Sequence, residues 1–412
     1  MAYVARRSKI GNQPRQSSGK RNDKEAESRG GVAGKRPSAA GPRGRKGAGT
    51  RWRQPPSGPA DDRRRAGRAR RTEPKQPPRE QGRHAHRRPR QQRRAQPGAP
   101  RHGPHRLPGR PPARDRLRGA VRSAILFPGQ GAQFRGMGAD VFGRYPGLTR
   151  FACDLLEYDL VALCRDDPDG LLSQTRYTQP ALYTVNALHT FERTRREDRP
   201  ADCYLGHSLG EYNALLAAGV FDFETGLRLV KKRGELMAAA SGGGMTAVLG
   251  TTASRLDEIL AQDGIEGIDV AGYNTDEQIV VAGPAGPLGA VHAALERRKI
   301  RFAPLRVSAP FHSRYMASAR AEFEEYLRKF IFADPKPEVV ANVTGRPYEK
   351  GAVVSTLSAQ LVEPVRWTDS VRHLLSVDPG TECEEVGGKS LLRMVEKIRA
   401  AATPPAPLDP RT

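Results

Sequence analysis

Residues 206–210 read Gly-His-Ser-Leu-Gly, a G-x-S-x-G spacing that can present a serine hydroxyl as a nucleophile. An apolar approach (Cys203-Tyr204-Leu205) precedes the motif, and a helix-like run (Glu211 to Ala218) follows it. That strand–turn–helix setting is where the pattern carries chemical meaning. The flanking glycines let the backbone turn sharply. The turn leaves unpaired backbone N–H groups at a helix N-terminus, where a developing oxyanion is stabilised. A glycine-flanked serine in an ordinary tight turn fits the same five residues, so the decision rests with the remainder of the chain.

A serine nucleophile needs a base. Of the nine histidines, His84, His86, His102 and His105 lie in an Arg-rich N-terminal stretch. His207 adjoins Ser208, but neighbouring side chains on a sharp turn point apart, which makes it a poor base. His189, His292 and His373 fall in helical patterns and read as surface or packing residues. His312 remains, in Ser308-Ala309-Pro310-Phe311-His312-Ser313, just after a strand pattern and before a helical one. It lies 104 residues beyond Ser208, so only the fold can bring the two together. Unless they meet, His312 is an ordinary loop histidine. If they do, it takes the hydroxyl proton and later returns one to the leaving group.

Arg233 sits in Val230-Lys231-Lys232-Arg233-Gly234, within a helical pattern otherwise rich in apolar residues. A single inward arginine suits bidentate capture of a carboxylate, whereas Lys231 and Lys232 read as a solvated face. Gln130 lies in Pro128-Gly129-Gln130-Gly131-Ala132-Gln133. This loop matches neither a P-loop nor a dinucleotide fingerprint, so an oxyanion-hole loop is preferred to a phosphate cradle.

These residues need elements to hold them. Ala124 to Phe127 predicts a buried strand feeding the Gln130 loop. Gln179 to Phe191 predicts a helix with Pro180 near its start, and Phe223 to Ala239 a long one. Gly242-Gly243-Gly244 reads as a hinge or linker. From there the pattern predicts strand Met245–Gly250, helix Ala253–Gln262, strand Ile268–Tyr273, strand Gln278–Ala282, helix Leu288–Arg298 and strand Phe302–Val307. That order is the βαββαβ, ferredoxin-like unit. The expected fold class is therefore α/β: a large subdomain with a parallel sheet over 121–243 and 308–400, and an inserted ferredoxin-like subdomain over 244–307. Residues 401–412 read as a disordered C-terminal tail.

The net charge of +24 over 412 residues first suggests nucleic acid. The first 120 residues, however, hold 35 Lys and Arg against eight Asp and Glu, and the remainder is slightly acidic. This Arg-, Pro- and Gly-rich segment has no periodic apolar residues and is expected to be disordered. It could be a polyanion-binding arm, although it lacks interleaved aromatics and any nucleic-acid module. The abrupt break in composition equally fits a native start near Val121, which intact mass of the native protein would test. The four cysteines are scattered and read as reduced thiols in a cytoplasmic protein. There is no apolar run of membrane-spanning length and no secretory h-region. No metal-ligand spacing appears.

FPGQGAQ at 127–133, GHSLGEY at 206–212, RLVKKRGELM at 228–237 and PFHS at 310–313 together resemble the malonyl-CoA:acyl-carrier-protein transacylase family. GHSLGEYNALLAAGVFDFETGLRLVKKRGELM more closely resembles the stand-alone acyltransferases that serve trans-acyltransferase polyketide synthases. The resemblance spans about 122–400, implying an α/β-hydrolase-like acyltransferase domain over 121–400. It implies transfer of malonyl from malonyl-CoA to the phosphopantetheine thiol of a holo acyl carrier protein, for polyketide or fatty acid synthesis. The route it implies is ping-pong, with Ser208 as nucleophile and His312 as base. The backbone N–H groups of Gln130 and Leu209 would form the oxyanion hole. Arg233 would clamp the malonyl carboxylate. The family's histidine is steadied by a backbone carbonyl, so no triad Asp is required. Gln360 matches a glutamine that helps hold the site, and Asn274 an asparagine near the substrate channel. Asn274, Phe311 and His207 join Arg233 and Gln360 in the expected substrate-binding set. A monomer without a bound cofactor or metal is expected, with no membrane partner and no nucleic acid for the core.

Two physical consequences follow. A buried arginine beside the nucleophile selects acyl groups carrying a carboxylate, because a neutral one leaves the guanidinium unpaired. Phe311 adds bulk where an α-methyl would sit, favouring malonyl over methylmalonyl, though one methyl is worth only ~1–3 kcal/mol. The chain departs from the family in its glycine turn at Glu385–Leu391, which reads one residue short. Alternatives remain: an acyl hydrolase using Ser208 and His312 without the clamp, a nucleic-acid binder acting through the tail, or a silent docking subunit. Arg233 weighs against the first, and an intact catalytic set against the last.

Overall fold

The computed structural model describes residues 121–197 and 199–402. The readings of residues 1–120, and of the C-terminal tail beyond 402, lie outside the described residues. The first strand, β1 (Ser123–Phe127), is a short apolar run. Its alternate residues enter two different cores: Ile125 and Phe127 face one, Ala124 and Leu126 the other. Burial on both faces is what a strand inside a parallel sheet requires, and explains the absence of polar alternation.

After β1 come α1 (Pro146–Leu156), α2 (Leu160–Arg165) and α3 (Thr175–Arg196). The sequence predicts α3 only from Gln179. The helix in fact starts one turn earlier, at Thr175, so Pro180 lies inside it and brings no N–H to the ladder there. β2 (Cys203–Gly206) leads into α4 (Gly210–Ala217), and α5 (Phe223–Ala239) follows. The Asp222 carboxylate caps α5 by accepting from Thr225 N–H at 2.8 Å.

The next strand, β3 (Gly243–Leu249), corrects the reading of the triple glycine. Only Gly242 turns, with φ +86°. Gly243 and Gly244 are strand residues paired with Pro284 and Gly283. A Cβ on Gly243 would stand 2.4 Å from the Gly283 carbonyl oxygen, so close approach of two backbones, not a hinge, calls for glycine. α6 (Ala253–Gln262), β4 (Asp269–Thr275), β5 (Gln278–Pro284), α7 (Ala285–Arg297) and β6 (Arg301–Pro304) complete this stretch. The strands form an antiparallel sheet in the order β4-β5-β3-β6.

The chain continues through α8 (Ala317–Leu327), β7 (Glu338–Val340), α9 (Val353–Ala359), α10 (Trp367–Val377), β8 (Glu382–Glu385) and α11 (Ser390–Ala402). Helix α11 thus runs two residues into the segment read as C-terminal tail. β7-β2-β1-β8 is a wholly parallel sheet. α3, α4 and α5 pack on one face, α10 and α11 on the other. The fold is α/β with a parallel sheet. The turn that reads one residue short is closed by Glu385, whose carboxylate accepts from the N–H groups of Leu391 and Leu392 at 2.8 and 3.0 Å. The segment before α10 runs alongside β4: Tyr273 N–H donates to the Val365 carbonyl, and Val365 N–H donates to the Ala271 carbonyl.

Candidate active site

Between β2 and α4 the chain must reverse within three residues. Ser208 sits in the left-handed region at φ +52°, a conformation a non-glycine residue keeps only when its surroundings over-determine it. The glycines make that possible by close approach. A Cβ on Gly206 would stand 2.0 Å from the Gly210 carbonyl carbon, and one on Gly210 2.0 Å from the Phe127 carbonyl oxygen. Gly129 presses on the same turn, since a Cβ there would lie 2.3 Å from the His207 carbonyl oxygen.

His312, also left-handed at φ +57°, brings Nε2 to 2.8 Å from Ser208 Oγ. Its Nδ1 lies 2.7 Å from the Gln360 backbone carbonyl oxygen. A carbonyl only accepts, so Nδ1 carries the proton and Nε2 offers its lone pair to the serine hydroxyl. Burial, and then the Arg233 charge, push the His312 ring down to about 3, so it is neutral over the whole physiological range.

Arg233 projects from α5 and is 1 % exposed. One Nη donates to Gln179 Oε1 at 2.7 Å. The other donates to Gln360 Oε1 at 3.0 Å and to Ser208 Oγ at 3.1 Å. The guanidinium lies 5.5 Å from the Tyr212 ring centroid. Among the described residues it joins no ion pair, and its Nε has no hydrogen-bond partner. Lys231 and Lys232 are on the outer side, on the Leu155 carbonyl and Glu322 respectively.

The backbone donors divide cleanly. Ser208 N–H is taken by Asn342 Oδ1 at 2.7 Å, and Asn342 Nδ2 donates to the Gly206 carbonyl at 2.6 Å. Among the described residues the Gln130 and Leu209 N–H groups donate to no one. The Gln130 side chain is turned away to Thr175 Oγ1 at 3.1 Å, which fastens its loop to the start of α3.

His207 and Asn274 are brought to each other, Nε2 to Oδ1 at 2.8 Å. Asn274 is fully buried, and burial lowers the His207 pKa. The contacts of Ser208 Oγ run instead to His312 and Arg233. Phe311 is buried in the main core beside the base. The remaining described histidines pack as the helical patterns predict: His292 stacks on Phe302 at 4.7 Å, while His189 and His373 stand 3.8 and 3.7 Å from Asp140 and Glu338.

Three residues of the site escape the sequence reading: Gln179, Asn342 and Glu211. Glu211 is fully buried in α4, where every residue is buried. It accepts from Tyr348 OH, from Gln360 Nε2 and from Asn342 N–H. Burial pushes its carboxyl up to about 7 despite those donors. One charged residue among Tyr212, Ala214, Leu215 and Leu216 was the available signal. Nothing in the sequence around Asn342 marks it.

The arrangement is that of serine acyl chemistry: a hydroxyl hydrogen-bonded to a neutral imidazole, one free backbone N–H at the turn and another in the loop after β1 that presses on it, and a buried cation on the nucleophile. Comparison with known proteins agrees. The model of the acyl transferase domain family matches residues 125–397. The polyketide biosynthesis malonyl CoA-acyl carrier protein transacylase BaeC of Bacillus velezensis is 45% identical over 278 residues, covering 66% of this chain and 96% of that protein. The polyketide biosynthesis protein ThaF of Burkholderia thailandensis is 46% identical over 305 residues, which is 72% of this chain but only 26% of ThaF. The crystal structure of malonyl CoA-acyl carrier protein transacylase from Burkholderia pseudomallei superposes with a TM-score of 0.67 at 41% identity, covering 69% of this chain and 100% of that one. Residues 125–397 make this chain a member of the acyl transferase domain family, and its chemistry is acyl transfer.

Proposed function

We propose that the protein transfers a malonyl group from malonyl-CoA to the phosphopantetheine thiol of an acyl carrier protein, through a malonyl ester on Ser208, in polyketide biosynthesis. The observation that carries this reading is Arg233: a cation 1 % exposed, without an ion-pair partner among the described residues, 3.1 Å from the nucleophile. A buried cation of this kind is completed by an anion, and the free carboxylate of a malonyl thioester supplies one at the right place. The names of BaeC and of the Burkholderia pseudomallei enzyme support the substrate and the carrier-protein partner.

In the first half-reaction the Ser208 oxygen attacks the thioester carbonyl as its proton passes to His312 Nε2. The oxyanion is received by the Gln130 and Leu209 N–H groups. The C–S bond then breaks, and the proton held by His312 goes to the departing CoA sulfur. In the second half the phosphopantetheine thiol gives its proton to His312 and its sulfur attacks the ester. The Ser208 oxygen leaves and recovers a proton from His312. The enzyme's own groups in both halves are Ser208, His312 and the N–H groups of Gln130 and Leu209.

Intact-protein mass after brief exposure to malonyl-CoA tests the reading, with Ser208→Ala and Arg233→Ala in parallel. A malonyl adduct is expected on the wild type, none on Ser208→Ala and less on Arg233→Ala. A holo carrier protein should then discharge it. No adduct, together with hydrolysis of acetyl-carrier protein, would replace transfer by the hydrolase reading.

A further inference from the structure

Glu211 is a buried carboxyl near the site to which the acyl-transfer steps give no task. It does not touch Ser208 Oγ, His312 or Arg233. Its neighbours do. Gln360 Nε2 donates to Glu211 Oε2 and to the Ser208 carbonyl, while Gln360 Oε1 accepts from Arg233 at 3.0 Å. Asn342 N–H lies 3.4 Å from both Glu211 oxygens, and the Asn342 side chain holds the Ser208 N–H and the Gly206 carbonyl.

An amide side chain has one end that donates and one that accepts, and its orientation is decided by its partners. Arg233 needs an acceptor, and so does the N–H of Asn342. A carboxylate at 211 accepts on both oxygens, so it draws the NH₂ end of Gln360 and leaves Oε1 for Arg233. We propose that Glu211 is a positioning residue for acyl transfer: through Gln360 it sets the carboxylate clamp, and through Asn342 it fixes the turn that carries the nucleophile. This rests on the reading of Arg233 as a clamp for the acyl carboxylate. The chain of contacts also explains a carboxyl in a helix whose residues are all buried: its donors come from the end of α9 and from the segment after β7, which supplies both Asn342 and Tyr348.

The isosteric change Glu211→Gln tests it. A glutamine offers a single acceptor and adds a second NH₂ that competes with that of Gln360. The measurement is Ser208 loading from malonyl-CoA and, separately, from acetyl-CoA, with kcat and KM for malonyl transfer and a thermal melt of the same full-length preparations. A displacement of the clamp well below one residue's width can cost on the order of tenfold to a hundredfold in rate. The expected result is therefore a folded variant whose malonyl loading falls about tenfold or more, with a raised KM and a narrowed malonyl-over-acetyl ratio. A purely structural role would lower the melting temperature and reduce both loadings in proportion. That outcome overturns the proposal, as does a folded variant whose kcat, KM and malonyl preference all stay at wild-type values. If Glu211→Gln does not fold, Glu211→Asp retracts the carboxylate while keeping its charge, and the same selective loss is expected of it. Wild-type selectivity in a folded Glu211→Asp overturns the proposal too. Failure of the underlying reading shows elsewhere, in a wild type that takes no malonyl at all.

Discussion

The Gln360 carbonyl oxygen lies 2.7 Å from His312 Nδ1, and the same residue's side-chain oxygen lies 3.0 Å from Arg233. One residue holds the base with its backbone and the cation with its side chain. The two tasks can be separated by mutation, because a side-chain deletion leaves the carbonyl in place.

Gln360→Ala is therefore expected to raise KM for malonyl-CoA about tenfold while lowering kcat less, since the imidazole keeps its orientation and the guanidinium loses an acceptor. His312→Ala removes the base itself and should lower kcat by ~100-fold or more. Steady-state malonyl transfer to a holo carrier protein distinguishes them. Equal kcat losses in the two variants would mean that the Gln360 side chain also holds the base.

Arg233→Lys keeps a positive charge but not the planar fork. The guanidinium now reaches Gln179, Gln360 and Ser208 at once, a geometry an ammonium on a flexible stem cannot reproduce. Malonyl loading is expected to fall by roughly 100-fold, with acetyl loading changed far less, as a lost charge-assisted contact of ~2–3 kcal/mol implies. Competition between the two acyl-CoA species, read by intact mass, gives the ratio directly. An unchanged ratio would assign selectivity to another residue.

Ser208, His312, Arg233 and Gln130 are legible in the chain because each sits in a short motif whose residue types carry their own chemistry, whereas Gln360 is reached only through the family resemblance. The nucleophile and base are 104 residues apart, yet each is marked locally: one by its glycines, the other by its place between a strand and a helix. Asn342 and Gln179 are not marked. A polar residue becomes part of a site through partners supplied by other elements, and no local pattern records them. The triple glycine misleads for a related reason. Gly243 is required by the Gly283 strand opposite it, a contact invisible until β3 and β5 are paired. The start of α3 is missed because Pro180 is a favourable first-turn residue, whereas here packing extends the helix past it.

The elbow itself makes a stability prediction. A methyl at Gly210 would meet the Phe127 carbonyl oxygen at 2.0 Å, and backbone on both sides cannot yield as a flexible side chain would. Gly210→Ala should lower the melting temperature by an amount corresponding to roughly 3 kcal/mol or more and abolish loading. Gly219, with nothing within 4 Å of a built Cβ but φ +73°, is the control: Gly219→Ala carries left-handed strain without a clash and is expected to lose only about 1 kcal/mol. Circular-dichroism melts compare them. A Gly210→Ala protein that melts like Gly219→Ala would show that the turn can open.

Protonation of the site opposes itself in a definite window of pH. His312 is pushed from its ordinary 6.5 down to about 3 by burial and then by Arg233. Between those values the unfolded chain binds a proton that the folded one refuses, so this group's contribution to stability rises with pH from about 3 to 6.5. Glu211 is pushed from 4.5 up to about 7, chiefly by burial. Between those values the folded chain keeps a proton that the unfolded one has lost, so this contribution falls as pH rises and is unfavourable above 7. The two slopes have opposite sign from about pH 4.5 to 6.5, so there these two contributions offset each other. Glu211→Gln removes only the falling part, an effect on the order of a few kcal/mol at full ionisation. Its melting temperature relative to wild type should therefore become more favourable from pH 5 to pH 8. A difference independent of pH across that range would mean that Glu211 keeps one protonation state throughout, and that its neighbours, not its charge, set the balance.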